Sequence, residues 1–279
     1  SEIAWSPLES KDYKDFERRI DNAQVRLDEH NINYYIPQPE QPNGSCDFVA
    51  FTDKATMNFQ TSRPVKVVYT LDGSEPTPSS TVYTEPFDIT ETTTLKIRSV
   101  LPSGKMSKTR EITVEKQTLA PAKEVAKTTP GLSMKVTNGT FLETSQLDGV
   151  KEWKEVPCKQ LRDLTSYVKT DEGMRGIQQY AAVAEGYVNI PADGVYYVSS
   201  ELEQVWIDGK LLIDNKGEVK HFARHDKSVA LAQGLHELKV VFLGHQIGGW
   251  ASNWNDGSVK LRRADEEKFA PVTPEMLCH

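Results

Sequence analysis

From Lys11 onward the apolar residues Tyr13, Phe16, Ile20, Ala23 and Leu27 recur at steps of three and four, while Arg18, Arg19, Asp21 and Asp28 fall largely between them. That spacing predicts an amphipathic helix with one apolar stripe, stopping near Asn31-Ile32-Asn33. Ser6-Pro7-Leu8-Glu9 reads as a capping box with proline at the first helical position. After Glu40 the period changes to two. Val65, Val67, Tyr69 and Leu71 alternate with Lys66, Val68 and Thr70; Leu95 and Ile97 alternate with Lys96 and Arg98; Ile112 and Val114 repeat the pattern. Further along, Val188 and Ile190 lead into a Pro191-to-Gly194 turn, and Val195 and Tyr197 follow in alternation. Val205 and Ile207 then meet Asp208-Gly209 and Leu211 and Ile213, a two-residue hairpin signal. Val229-Leu231, a Gln233-Gly234 turn and Leu238-Val240-Phe242 add another hairpin, and Val259 and Leu261 close a sheet. Turns every eight to twelve residues between alternating runs predict antiparallel β-sandwiches. Trp206, inside a strand, is expected in the core.

Proline-rich segments divide these patterns. Residues 37–43 and Thr118 to Pro130 read as linkers, which gives helical residues 1–36, a β module at 44–117, a second at 131–265 and a tail at 266–279. The predicted fold is mainly all-β: two antiparallel sandwiches preceded by a helical piece.

Composition narrows the partners. With 33 basic and 40 acidic residues the net charge is 33 − 40 = −7. No basic run is present, which argues against nucleic acid and anionic membrane surfaces. No apolar stretch reaches the length of a membrane span, and no basic-then-apolar signal segment follows Ser1. Cys46, Cys158 and Cys278 are odd in number and lie far apart without a C-x-x-C pair, so neither a fully paired framework nor a zinc site is expected.

Residues 69–87, YTLDGSEPTPSSTVYTEPF, carry a strand end, an Asp72-Gly73 turn and a loop fixed by Pro76, Pro78 and Pro86. This segment resembles the small immunoglobulin-like module of bacterial chitobiases and β-N-acetylhexosaminidases, in which Y-T-x-D-G-S-x-P recurs. The opening SEIAWSPLESKDYKDFERRI with RLDEHNINYY resembles the closing helices of the catalytic (β/α)8 barrel in family 20 glycoside hydrolases. GYVNIPADGVYYVSSELEQVWIDGKLLIDN resembles the protective-antigen-type β-sandwich, often appended to carbohydrate-active enzymes and adhesins. Together these imply the C-terminal portion of a β-N-acetylhexosaminidase, with a parent that is periplasmic, cell-surface or secreted. The stripe Tyr13, Phe16, Ile20, Ala23 and Leu27 is then the surface on which the parent's barrel packs.

The resemblance also implies a catalytic Asp-Glu pair within H-x-G-G-D-E, one carboxyl orienting the substrate's acetamido group and the other protonating the leaving oxygen. Asp28-Glu29, Asp171-Glu172 and Asp265-Glu266 lack that context, and His245 to Trp250 is a near miss with tryptophan where aspartate is required. No catalytic residue is assigned, so this chain alone is expected to be inactive, with no cofactor. Glu201 and Glu203 stand where sugar-binding relatives of the last sandwich carry paired aspartates, and they do not reproduce that calcium geometry. His221 and His225 lack a third ligand, and no metal is assigned. The loop 244–257, GHQIGGWASNWNDG, is the candidate contact surface: Trp250, Asn253, Trp254, Asn255 and Asp256 join aromatic faces to polar rims. Three roles stay open for the tryptophans, namely loop anchor, interdomain dock or sugar contact. Three roles also stay open for the sandwiches: support of the barrel or its active-site mouth, a carbohydrate-binding module, or an adhesin-like interaction protein.

Overall fold

The computed structural model describes residues 7, 12–42, 46–167, 179–215, 227–244, 246–247, 250–251 and 257–279. Strands dominate. Helix α1 (Tyr13–Glu29) is followed by β1 (Phe48–Phe51), β2 (Ala55–Met57), β3 (Lys66–Thr70), β4 (Thr81–Val82), β5 (Phe87–Ile89), β6 (Thr93–Val100) and β7 (Arg110–Lys116). Next come β8 (Leu132–Asn138), β9 (Lys154–Cys158), helix α2 (Asp163–Ser166), β10 (Tyr180–Ile190), β11 (Gly194–Ser200), β12 (Gln204–Ile207) and β13 (Lys210–Asp214). The chain finishes with β14 (Lys227–Leu231), β15 (Gly234–Gly244), β16 (Gln246–Ile247), β17 (Trp250–Ala251), β18 (Val259–Arg263), β19 (Ala270–Pro271) and β20 (Leu277–Cys278). The packing divides into two compact units, one of residues 1–40, 58–86 and 94–111, the other of 41–57, 87–93 and 112–279.

In the first unit, Asp12 caps α1 by accepting from the backbone N–H groups of Lys14 and Asp15 at 3.0 and 3.2 Å. The Ser6-to-Glu9 capping box lies outside the described residues apart from Pro7. At the other end Asn31 adopts φ +54°. The Ile32 N–H then reaches the Leu27 carbonyl at 2.8 Å and the Asn31 N–H reaches that of Asp28 at 3.1 Å, so asparagine stops the helix within the expected window. β3 pairs antiparallel with β4 and β6, over Val68, Leu95 and Ile97, each fully buried. The alternation is right in period here and wrong in part of its phase: Val68 is buried and Leu71 is 41% exposed. Leu71 already belongs to the loop, where pleating no longer sets its side.

Asp72-Gly73 does not close a two-residue hairpin. It opens a ten-residue loop in which Asp72 Oδ1 accepts from the Ser74 N–H and hydroxyl at 3.0 and 2.5 Å. Glu75 then accepts from Lys96 and Thr109 at 2.7 and 2.6 Å. The recurrent D-G-S run is a self-bonded corner.

The second unit is a sandwich. One sheet runs β19-β18-β11-β14-β1-β7 and the other β13-β12-β15-β10-β8-β9, with β20 also paired to β10. Between them lies a core that includes Met134, Tyr180, Ile190, Val198, Leu202, Val205, Ile207, Leu231, Val240 and Phe242. β1 departs from the antiparallel expectation, pairing parallel with both β14 and β7. The fully buried Ser228 supports that junction, its hydroxyl accepting from the Ala50 N–H at 2.6 Å and donating to the Phe48 carbonyl at 3.3 Å. Asp208-Gly209 is the expected hairpin, with φ of +47° and +73° at its two central positions. The segment after Lys116 is held along the sandwich by backbone bonds, from Ala120 to Ala230, Lys123 to Leu235 and Thr129 to His279, at 2.7–2.9 Å. No disulfide joins Cys46, Cys158 or Cys278.

Candidate functional site

Pleating gives the β13-β12-β15-β10-β8-β9 sheet a second, outward face. On β12, Val205 and Ile207 point into the core, so Gln204 and Trp206 must point away. Trp206 is therefore half-buried on the outer surface, against the expectation that it belongs to the core. Cross-strand registry sets out two rows on that face. One reads Lys135, Val183, Val241, Gln204, Asp214, and the other Ser133, Glu185, Lys239, Trp206, Leu211.

The segment between β8 and β9 folds over part of this face. Phe141, Leu147 and Trp153 pack on Ala181, Val183, Val241 and Leu243. A 3-10 turn, Thr144–Leu147, is closed at its start by reciprocal bonds between Glu143 and Gln146. The result is a cleft of about 540 Å³ with Val183 and Val241 among its apolar lining, Trp153 and Trp206 as its aromatics, and Ser145, Asp148 and Lys239 among its polar groups.

The side chains in the cleft are braced. Trp206 Nε1 donates to Gln204 Oε1 at 3.2 Å, and Gln204 Nε2 donates to Thr144 Oγ1 at 3.1 Å and to Asp214 Oδ1 at 3.5 Å. The Lys135 ammonium sits 5.0 Å from the centre of the Trp153 ring. Lys239 pairs with Glu185 at 3.3 Å. Such a set can bind and orient. Neither Trp153 nor Trp206 is named by sequence reasoning as a contact residue. The signal for Trp206 is its phase, one residue out of step with Val205 and Ile207. Trp153 has no such signal, because only the fold of its loop places it.

Of the residues proposed from sequence, Trp250 lies on β17, paired with Ile247 of β16. Its side chain, and Asn253, Trp254, Asn255 and Asp256 entirely, lie outside the described residues, as do His221, His225 and the Asp171-Glu172 pair. Along α1, Tyr13 is 61% exposed, Phe16, Ile20 and Leu27 are half-buried and Ala23 is exposed. In the other two acidic pairs the aspartate is held by a cation. Lys105 holds Asp28 at 2.5 Å and keeps its carboxyl below the usual carboxylate range. Arg263 does the same to Asp265 through bonds of 2.5 and 2.9 Å. A general acid for glycoside cleavage needs the opposite shift. Among the described residues, no group of three His, Cys, Asp or Glu side chains is placed to hold a metal ion, and no helix is long and apolar enough to cross a membrane.

Against known proteins, residues 50–111 match the chitobiase/beta-hexosaminidase C-terminal domain and residues 158–272 match the PA14 domain. The solved PA14 domain of the MpAFP antifreeze protein is 12% identical, covering 56% of this chain and 94% of its own, at a TM-score of 0.35. An anti-sigma factor domain-containing protein is 13% identical, covering 86% of this chain and 82% of its own, at 0.39. Both scores are too low to bear on fold or function. A beta-hexosaminidase of Porphyromonas gingivalis (strain ATCC BAA-308 / W83) is 46% identical over 277 residues, which is 99% of this chain and 36% of that protein. The chain thus spans about a third of the curated relative it matches, and its likeness is to the C-terminal region of a β-hexosaminidase.

Proposed function

We propose that this chain is the non-catalytic C-terminal portion of a β-N-acetylhexosaminidase. Its catalytic part removes terminal β-linked N-acetylhexosamine from glycans, using the substrate's own acetamido group as nucleophile. The observation that carries this reading is the 46% identity sustained over 99% of the chain to a β-hexosaminidase nearly three times as long. In this reading α1 and the β modules brace the barrel, with Tyr13, Phe16, Ile20, Ala23 and Leu27 meeting it. Tyr13 and Val25, 61% and 54% exposed, are apolar surface for such a contact. The compartment that fits is extracytoplasmic, which cell fractionation with an antibody to the chain checks.

The test is a chromogenic N-acetyl-β-glucosaminide offered to the purified 279-residue chain, and to the same chain joined to the preceding part of the Porphyromonas gingivalis relative. The expected result is hydrolysis by the joined protein and none by the chain alone. Turnover above buffer by the chain alone overturns the non-catalytic assignment.

A further inference from the structure

We propose that the Trp153–Trp206 cleft is a glycan-binding site that takes a pyranose unit carrying an N-acetyl group. The pyranose class comes from the cleft itself, and the acetamido preference rests on the function proposed above. Trp206 stands on an outward strand position between Lys239 and Leu211, where packing into the sandwich core does not account for it. Its indole N–H is spent on Gln204, whose amide is held in turn by Thr144 and Asp214. That relay fixes the ring and leaves its face, not its polar edge, as the surface on offer. Preorganisation of this kind lowers the entropy lost on binding.

A pyranose presents an apolar C–H face and a rim of hydroxyls, and the cleft presents the complement. Trp206 supplies the stacking surface. Lys239, directly across the ladder from Trp206, and the exposed Asp148 supply a donor and an acceptor at the rim. Val183 and Val241, 6% and 3% exposed, back the cleft from beneath the loop that packs on them. The volume of about 540 Å³ lies within the size range of small-ligand sites.

The experiment is a calorimetric titration of the 279-residue chain with chitotriose, cellotriose serving as the sugar without acetamido groups. Saturable chitotriose binding is expected, weakened about tenfold or more in Trp206→Ala and weakened also in Asp148→Arg. Because Asp148 is exposed, that variant keeps the wild-type urea midpoint and separates binding from folding. Trp250→Ala is expected to bind as the wild type does. Absence of saturable binding by the wild type, or undiminished binding in both Trp206→Ala and Asp148→Arg, overturns the site. Loss confined to Trp250→Ala moves the site to the 244–257 loop and overturns this one. Trp206-dependent binding of cellotriose alone overturns the acetamido assignment, whereas the hydrolysis test of the joined protein stands or falls separately.

Discussion

Replacing Tyr180 by phenylalanine removes one oxygen from the middle of the larger sandwich and little else. Tyr180 is 1% exposed, and its hydroxyl donates to the Leu164 carbonyl at 2.7 Å. Its ring meets those of Tyr167 and Phe242 at 5.6 and 5.4 Å, contacts that phenylalanine keeps. The lost bond, with the carbonyl left behind, costs about 1–2 kcal/mol at neutral pH. Burial also pushes the Tyr180 hydroxyl well above the ordinary phenol value of 10.0. The sign of the pH effect follows. Below about pH 10 the phenol keeps its proton in both folded and unfolded chains and contributes its full stabilisation. Above it, the unfolded wild type ionises while the folded one does not, so the wild type loses stability that Tyr180→Phe has no group to lose. At about pH 11 the unfolded phenol gains RT ln(1 + 10), about 1.4 kcal/mol. The gap between the two proteins should therefore close to near zero. Urea unfolding of both, at neutral pH and at about pH 11, reads the gap directly, with an unchanged m-value certifying the comparison. A gap that is absent at neutral pH, or that stays constant into alkali, refutes the reasoning.

Asn31→Val should destabilise the end of α1 by about 1–2 kcal/mol, since a β-branched residue resists the left-handed backbone that asparagine tolerates; Asn31→Gly should not, and amide exchange at Asp28 to Ile32 distinguishes them. Gly186→Ala should cost about 2 kcal/mol or more in a urea melt, because the new methyl would stand 2.5 Å from the Cys278 carbonyl oxygen and 2.8 Å from Leu132 Cδ2. Asp208→Ala should cost about 2–3 kcal/mol, as it strips partners from the fully buried His236 ring, 2.6 Å from Oδ2, and from the Glu237 N–H, 3.0 Å from Oδ1. Asp208→Asn should recover part of that loss by keeping the turn, and the same melts measure it.

Much of the sandwich was legible because period-two alternation and turn chemistry agree there. Val205, Ile207, Val229, Leu231, Leu238, Val240 and Phe242 are all in its core, Leu95, Ile97, Ile112 and Val114 are buried on the strands outside that cluster, and Asp208-Gly209 turns as its dipeptide predicts. Errors arose where a strand buries both faces or has already ended. Val195 packs with Ala50 and Ala230 on one face while Tyr196 and Val198 enter the core on the other, so alternation there carries no inside or outside. Leu71 is past the end of β3. Trp206 departs from the core expectation because phase outranks bulk and apolarity: its buried strand neighbours Val205 and Ile207 place it outward. Trp153 could not be found at all, since its position depends on a loop returning to a register set by strands more than a dozen residues away. The parallel pairing of β1 has the same origin: nothing local to Phe48–Phe51 specifies Lys227 as a neighbour.

Composition alone makes Thr118 to Pro130 look like a hinge, the place where one would cut the chain to isolate its last module. The rungs at Ala120, Lys123 and Thr129 make that stretch behave as trim nailed along a panel edge. Trypsin must thread several loosened residues before it can cleave at Lys123 or Lys127, so digestion should spare this seam until the sheet beside it opens. A recombinant piece begun at Gly131 would start life missing part of its own border.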